Sequence, residues 1–333
     1  MHKSLGLYKG SIPYQNPQWL KKGFFHSREA LFMMDHEKDF IIEFSPLPHF
    51  SKESLEQVEK EIKSHLHLFL TLSLEEFFFM EKKEFSSSFL FGLLSYLLKK
   101  KQTLSQGYKT RSFIESSFDT SNLTESISKR IDFLIQKKSS VIKVKLSSYT
   151  ISEIENLLSS LDDKTKKHLH LDFNQMLSFD EAIKLFSSTC MKDYFLIEEP
   201  LKNPNELFEL EDQFTFSLAL DESLREDSHL QLLQLKSLKS LELKPQIDLH
   251  RLFDPFLLKK EGLITQLSSS FETPNGLEQV ALIASNFFKD PLLGIDTFSV
   301  FDENAFLSFP YKKDERVYFN NTRPKDEFLK KLC

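Results

Sequence analysis

An acidic pair closes one apolar run of this sequence, where "YFLIEEP" ends on Glu198, Glu199 and Pro200. A single acidic pair at the end of a strand is usually just solvated. Five further apolar runs, however, also end in polar residues, near Lys145, Asp172, Asp221, Lys244 and Ser268. The successive steps along the chain are 27, 26, 23, 23 and 24 residues. This near-constant spacing indicates a repeated structural unit with polar residues at the same place in each copy.

Alternation within these runs predicts where the polar side chains point. Lys143 and Lys145 share one face of "VIKVKL", opposite aliphatic residues. The same alternation groups His170 with Asp172 and Asn174, and Glu242 with Lys244. One strand of this kind is as typical of an exposed edge as of a site. Five such strands at regular spacing favour side chains that point into the interior of a barrel.

The carboxylates of Asp172, Glu198 and Asp221 would repel one another in such an interior unless a cation neutralised them. Ligation by oxygen alone, with neither cysteine nor a clear histidine pair, favours Mg²⁺, with Mn²⁺ as a substitute, over zinc. A nearby cation and partial burial lower the pKa of an ammonium group towards the range useful for proton abstraction. The residues alone therefore indicate metal-assisted proton abstraction next to a carboxylate, without identifying the substrate.

The elements that would position these residues are βα units. From about residue 110, short apolar runs alternate with segments of helical periodicity. Ser178 with Glu181 and Asn203 with Pro204 are helix-start signals between the runs. Such a series predicts a (β/α) barrel, whose active site lies at the carboxyl ends of the strands.

The N-terminal part has a different pattern. "ALFMMDHEKDFIIEF" predicts two strands around a turn, and "KESLEQVEKEIKSHL" predicts a helix. A barrel takes about 250 residues, so the remaining length fits an α+β cap, with "SSFLFGLLSYLL" leading into the barrel. We therefore predict a capping domain over 1–105, a catalytic barrel over 106–290 and a C-terminal segment over 291–333 that completes both.

Composition excludes several classes of protein. The 333 residues carry a formal net charge of −6, which argues against a nucleic-acid-binding surface. Cys190 and Cys333 are too few for a disulfide framework, and no apolar stretch has the length of a membrane span. These features predict a cytoplasmic protein with neither nucleic-acid nor membrane partners.

The motifs "KVK", "LDFN", "IEEP", "LDES" and "LKP", in this order and spacing, resemble the enolase superfamily of the muconate-lactonizing-enzyme type. The resemblance implies a modified TIM (β/α) barrel with an α+β N-terminal capping domain. It also implies that Asp172, Glu198 and Asp221 bind the metal ion.

Within that superfamily, "FSPLPHFSKESLEQ", "LDESLRE", "QLSSSFETPNGL" and "LLGIDTF" resemble the o-succinylbenzoate synthase family over almost the whole chain. The resemblance implies a lyase of menaquinone (vitamin K2) biosynthesis. The reaction is the syn dehydration of 2-succinyl-6-hydroxy-2,4-cyclohexadiene-1-carboxylate to o-succinylbenzoate. Lys145 would remove the proton and then help the hydroxyl leave, and Lys244 would stabilise the enolate from the opposite side.

The same resemblance assigns supporting roles. Lys143 would lie beside Lys145, and Asn174, Glu199 and Glu222 would support the metal ligands. The hydroxyls of Ser268, Ser269 and Ser270 would bind the substrate, although serines in a loop are also common without a function. The expected partner is a small-molecule carboxylate substrate, with no obligate protein partner, and a monomer is compatible with the sequence. His170 departs from the arginine that many relatives of this type carry at that position.

Two other functions fit the same residues. An N-succinylamino-acid racemase or dipeptide epimerase would use Lys145 and Lys244 to exchange protons on opposite faces of one carbon. A non-catalytic barrel could use its metal only for stability or partner binding, but such a barrel would have no need of the two lysines.

Overall fold

A computed structural model describes residues 4–20, 23–101, 107–114, 123–254, 262–289, 291–313 and 315–333. The chain divides into two compact units. The first unit comprises Met1–Thr110, Leu243–Leu258 and Leu267–Cys333, and the second comprises Arg111–Glu242 and Lys259–Gln266. The predicted domain boundaries at 105/106 and 290 fall on residues outside the described ranges and stay predictions.

The first unit contains a four-stranded antiparallel sheet in the order β16-β1-β2-β3. Its strands are β1 Leu5–Leu20, β2 Gly23–Asp35, β3 Phe40–Phe44 and β16 Leu329–Lys331. The pair β2 and β3 flanks the turn predicted from "DHEKD", because Asp35 lies opposite Phe40. One face of the sheet buries Ile12, Phe32 and Met34 together with Phe301 of the C-terminal segment.

Helices cover part of this unit. They are α1 Leu55–Ser64, α2 Leu66–Thr71, α3 Leu74–Phe79, α4 Ser87–Lys99, α10 Pro245–Leu252 and α11 Pro274–Phe287. The predicted helix "KESLEQVEKEIKSHL" is confirmed as α1, which begins at a capping box formed by Ser54 and Gln57. In α4, Gly92 lies against the ring of Phe44, where any Cβ would clash. This contact allows α4 to pack closely on β3.

Short strands complete the first unit. A three-stranded sheet has the order β13-β14-β4, and β12 pairs with β15. These strands are β4 Tyr108–Lys109, β12 Phe306–Ser308, β13 Tyr311–Lys313, β14 Arg316–Tyr318 and β15 Arg323–Pro324. Single 3₁₀ turns span Asp296–Val300, Glu303–Ala305 and Asp326–Phe328.

A buried carboxylate joins β3 to the start of α11. Glu43 is fully buried and accepts hydrogen bonds from the hydroxyl of Ser45, from the backbone N–H and hydroxyl of Thr273, and from the N–H of Gly276. Burial raises the pKa of Glu43 to about 6, although the hydrogen bonds from Ser45 and Thr273 oppose this rise. The carboxylate also satisfies N–H groups that the first turn of a helix leaves without partners.

The second unit contains a seven-stranded sheet in the order β11-β10-β9-β8-β7-β6-β5. Its strands are β5 Ser112–Ile114, β6 Ile142–Lys145, β7 Leu169–Asp172, β8 Leu196–Glu198, β9 Leu218–Leu220, β10 Leu238–Leu243 and β11 Ile264–Leu267. The pairs from β5 to β10 are parallel. Every strand end predicted from the sequence lies within one residue of the observed end.

The second unit's helices are α5 Leu123–Gln136, α6 Ile151–Ser160, α7 Asp163–Lys166, α8 Phe179–Ser188 and α9 Leu207–Gln213. Further 3₁₀ segments span Met191–Asp193, Pro204–Glu206, Glu222–Arg225 and Asp227–Gln234. The predicted capping box of Ser178 and Glu181 is present at the start of α8. The signal at Asn203 and Pro204 begins a 3₁₀ turn that continues as α9.

Two isolated parallel bridges lie within the first unit. Leu293 bridges in parallel to Thr110, which precedes β5, and Gly294 bridges in parallel to Ser268, which follows β11. Among the described residues, no helix is both long enough and apolar enough to cross a membrane.

We expect Glu43→Gln to lower the free energy of unfolding by roughly 2–5 kcal/mol. The amide keeps one acceptor oxygen, so its NH₂ group would face donors that the carboxylate now satisfies. Urea denaturation at pH 8 measures the change, with the exposed Glu84→Gln as the matched control. Equal stability of the two variants would show that Glu43 does not hold β3 to α11.

Candidate functional site

Strand register brings the predicted acidic residues of β7 and β8 side by side. Asp172 is the register partner of Glu198 on one side and of Lys145 on the other. Lys143 is paired in the same way with His170, one pleat earlier. Because neighbouring strands in register point equivalent side chains to the same face, these five residues share one face of the sheet.

Lys143 lies between the two carboxylates. Its Nζ is 2.9 Å from Asp172 Oδ2 and 2.6 Å from Glu198 Oε2. Burial by itself would lower the pKa of Lys143, but the attraction of Asp172 and Glu198 outweighs it and raises the pKa above its ordinary value. Lys143 therefore places its side-chain nitrogen between the two carboxylates, on the same strand face as Lys145.

Glu198 is the most enclosed acidic group of the site. Burial alone would raise its pKa, but Lys143 and His170 hold the pKa of Glu198 well below its usual range. His170 Nε2 lies 2.7 Å from Glu198 Oε2. Neither contact has the alignment of a hydrogen bond, so both oxygens of Glu198 remain buried without a hydrogen-bond partner among the described residues.

Glu199 has a different role from Glu198. Its carboxylate accepts hydrogen bonds from the N–H of Asp221 at 2.7 Å and from the N–H and hydroxyl of Ser223 at 2.8 and 2.5 Å. Gln175 Nε2 adds a bond at 3.2 Å. Glu199 thus ties the loop after β8 to the loop after β9. The φ of Glu199 is 43°, in the left-handed region, which is uncommon for a residue with a side chain.

We refer to the acidic residues at the ends of β7, β8 and β9 as the carboxylate cluster, although among the described residues the oxygens of Asp172, Glu198 and Asp221 do not form a group within 4.8 Å of one another. Arg225 Nη2 donates to Asp221 Oδ1 at 3.1 Å. The N–H of Asn174 donates to Asp172 Oδ1, and its amide nitrogen lies 3.4 Å from Glu222 Oε1. Asn174 therefore contacts Asp172, Glu199 contacts the backbone of Asp221, and Glu222 contacts Asn174, while the function of all three stays a prediction.

Negative charge exceeds positive charge in this cluster. Burial and the nearby carboxylates of Glu199 and Asp172 raise the pKa of Glu222 to about 7. A divalent cation is the species that would relieve this repulsion. The buried oxygens of Glu198 that lack hydrogen-bond partners fit such an ion. Asp172, Glu198 and Asp221 as its ligands stay a prediction.

A second group could also hold a cation by geometry. His170, Glu198 and Glu242 offer ligand atoms within 4.8 Å of one another, the one such group of three found in the described part of the chain. Its charge is already compensated, because Arg111 makes a two-pronged contact with Glu242. A metal ion there would compete with the guanidinium.

Arg111 is the site residue that the sequence analysis missed. It lies immediately before β5 and is buried against Glu242, His170 and Gln266. Alternation had already placed Glu242 on the inward face of its strand. A buried acid of that kind requires a cationic partner, and this requirement was the available signal for Arg111.

The remaining predicted site residues belong to the first unit. Lys244 follows β10, is half-buried, and immediately precedes α10. Ser269 Oγ donates to Glu272 at 3.0 Å, and the N–H of Ser270 donates to the same carboxylate at 2.7 Å. Glu272 thus holds the serine loop in a defined conformation. Roles for Lys244, Ser268, Ser269 and Ser270 in substrate binding or catalysis stay predictions.

Solved structures that share this fold include members of the enolase superfamily. The L-Ala-D/L-Glu epimerase of Bacillus subtilis matches with a TM-score of 0.71 at 15% identity, covering 96% of each chain. The muconate lactonizing enzyme of Pseudomonas fluorescens matches at 0.70 and 13%, covering 98% of each chain. A superfamily member from Roseovarius nubinhibens, complexed with magnesium, matches at 0.71 and 15%, covering 99% of this chain and 97% of its own. The chain therefore has the enolase-type fold of barrel and α+β capping domain.

Curated relatives narrow the resemblance further. No protein-family model matches the chain. The o-succinylbenzoate synthase of Pasteurella multocida is 25% identical over 93% of this chain and 94% of its own length. That of Haemophilus influenzae is 26% identical over 92% and 94%. The resemblance predicted from the motifs is confirmed, since homologues named o-succinylbenzoate synthase align over nearly the whole chain.

We expect Glu198→Gln to weaken Mn²⁺ binding by at least about tenfold, since the amide loses the charge that a hard cation requires. Isothermal titration of the metal-free protein measures the change. Asp212→Asn is the matched control, because Asp212 is exposed on α9 of the same unit. Unchanged Mn²⁺ affinity in Glu198→Gln would remove Glu198 from the ligand set.

Proposed function

We propose that this protein is a metal-dependent lyase with o-succinylbenzoate synthase activity. The reaction is the syn dehydration of 2-succinyl-6-hydroxy-2,4-cyclohexadiene-1-carboxylate to o-succinylbenzoate, a step of menaquinone biosynthesis. The observation that carries the proposal is the alignment with synthases of that name over more than nine-tenths of the chain. Lys145 in register with Asp172, beside the buried pair of Lys143 and Glu198, supports it.

In this proposal Lys145 acts as both base and acid. Its amine takes the proton from the carbon next to the substrate carboxylate. The ammonium that results then returns a proton to the departing hydroxyl on the same face, so that one water leaves and the ring becomes aromatic. Lys143 does not compete for this role, because its Nζ is engaged by Asp172 and Glu198 at 2.9 and 2.6 Å.

The other groups stabilise charge and hold the substrate. Mg²⁺, or Mn²⁺ in its place, would be held by Asp172, Glu198 and Asp221, and would supply Lewis-acid stabilisation of the enolate. Lys244 adds a positive charge from the opposite face. The hydroxyls of Ser268, Ser269 and Ser270 bind the substrate. We also propose that the protein acts in the cytoplasm on this small carboxylate without an obligate protein partner.

A second candidate is epimerisation, because the Bacillus subtilis L-Ala-D/L-Glu epimerase is among the structures that share this fold. Lys145 and Lys244 would then exchange protons on opposite faces of one carbon. Deuterium from solvent would enter both epimers of a dipeptide, or both enantiomers of an N-succinylamino acid, during turnover.

The direct test is an ultraviolet assay of purified protein with the cyclohexadiene substrate and Mg²⁺. We expect its conjugated absorbance to disappear as o-succinylbenzoate forms, and chelation of the metal to stop the reaction. Absence of turnover would reject the proposed activity. Deuterium exchange into a dipeptide or succinylamino acid would then favour the epimerase.

Substitution of the lysines separates their roles. Lys145→Ala should lower kcat by roughly 10²–10⁴-fold or more, because proton removal and hydroxyl departure lose the same group. Lys244→Arg keeps a cation and should retain more activity than Lys244→Ala, although the two side chains differ in shape. The exposed Lys167→Ala is the control in the second unit.

Metal affinity and circular dichroism should be unchanged in all of these variants. Wild-type turnover by Lys145→Ala would contradict the assignment of Lys145 as the base.

A further inference from the structure

Four buried side chains form a continuous series of contacts in the second unit, from Glu242 through Arg111 and His170 to Glu198. Arg111 contacts Glu242 through both of its Nη atoms, with Nη1 2.9 Å from Glu242 Oε1. The same Nη1 lies 3.2 Å from His170 Nδ1, and His170 Nε2 lies 2.7 Å from Glu198 Oε2. Each of these residues is no more than 3% exposed. This series of contacts therefore links Arg111, which precedes β5, to the carboxylate of Glu198 at the end of β8 through side chains alone.

Arg111 is anchored so that its position is defined. Nη1 has two hydrogens: one goes to Glu242 Oε1, and the other is shared between Gln266 Oε1 and His170 Nδ1, which both lie at 3.2 Å. Gln266 is oriented in turn because its amide nitrogen donates to Ser240 Oγ at 3.0 Å. A planar guanidinium held by a two-pronged carboxylate contact has little freedom to rotate.

The direction of the hydrogen bond from Arg111 determines where His170 carries its hydrogen. A guanidinium can only donate, so Nδ1 of His170 must accept. An imidazole that accepts at Nδ1 carries its hydrogen on Nε2. The ring nitrogen that faces Glu198 Oε2 at 2.7 Å therefore carries the N–H, and a hydrogen on Nδ1 instead would point at Arg111.

We propose that Arg111, held by Glu242, fixes His170 in the tautomer with hydrogen on Nε2. His170 thereby acts as a positioning residue for the carboxylate of Glu198. His170 and Lys143 both contact Oε2, at 2.7 and 2.6 Å, so Oε1 is the oxygen left for a ligand role. The proposal rests on the proposed role of Glu198 as a metal ligand, and its test needs no turnover.

This arrangement has an electrostatic consequence. The guanidinium contacts His170, and the carboxylate of Glu242 compensates the charge of the guanidinium. The carboxylate of Glu198 is thus oriented by the N–H of a neutral His170. No additional uncompensated positive charge is placed against Glu198. The remaining negative charge of the ligand set is preserved for a divalent ion.

The tautomer is measured first, in metal-free protein with ¹⁵N-labelled histidine. The signal of His170, identified by its absence from His170→Gln, should show a non-protonated Nδ1 and a protonated Nε2. In the paired variant Arg111→Met with Glu242→Gln, which leaves no bare buried charge, this preference should be lost. A hydrogen on Nδ1 in the wild type, or the same tautomer in the paired variant, would overturn the proposal.

Mn²⁺ affinity measures the effect on Glu198. His170→Leu removes the donor and should weaken binding by about 10–100-fold, the range for residues that orient metal ligands. His170→Gln can still donate from its amide nitrogen and accept from Arg111, so its affinity should stay within about threefold of wild type. His168 immediately precedes β7, and His168→Leu is the matched control, which should leave the Mn²⁺ affinity unchanged.

The comparison of His170→Gln with His170→Leu separates positioning from packing. If His170 only filled space, the two variants would bind Mn²⁺ with the same affinity, whether or not the new side chain carries an N–H. Wild-type affinity in His170→Leu, or failure of His170→Gln to exceed it, would overturn the role of His170. Loss of dehydration alone, with Mn²⁺ binding and the tautomer as described, would contradict only the proposed function.

Discussion

The burial of Glu198 is the constraint on which the rest of the site depends. An ionised carboxylate removed from water costs several kcal/mol unless cations and hydrogen bonds compensate. Lys143 and His170 provide that compensation at one oxygen, and both are delivered by strands that neighbour one another in register. If the register of β6 or β7 shifted by a single residue, these side chains would point to the opposite face. The site therefore requires the barrel strands to pair as they do.

The same constraint explains why the adjacent residues Glu198 and Glu199 have different hydrogen-bond partners. Glu198 lacks well-aligned hydrogen-bond donors, whereas Glu199 accepts four from the loops that follow β7 and β9. The backbone turns at Glu199, whose φ is positive, and the carboxylates of Glu198 and Glu199 therefore lie in different surroundings. One acid is left available to a cation, and the other fixes the loops around it.

Much of this could be predicted from the sequence because strand and helix signals are local. The runs that end at Lys145 and Asp172 carry the period-two alternation, the run that ends at Glu198 is apolar up to its acidic end, and the observed strands end at all three residues. The capping box of Ser178 and Glu181 is likewise a property of four consecutive residues. Arg111 with Glu242 and Glu43 with Thr273 were not predicted, since each pairs residues more than 100 positions apart. Such pairs depend on the tertiary fold and leave no periodic signal in the sequence.

The central claim is that Asp172, Glu198 and Asp221 bind one divalent ion, while Arg111 keeps the neighbouring group of His170, Glu198 and Glu242 from doing so. A crystal structure of the protein with Mn²⁺ tests it most directly, because anomalous scattering locates the metal independently of the chain. The account predicts one strong peak within bonding distance of oxygens of all three predicted ligands, with Arg111 still paired to Glu242. A peak bonded to His170 and Glu242 instead, or bound Mn²⁺ that contacts none of the three carboxylates, would contradict it.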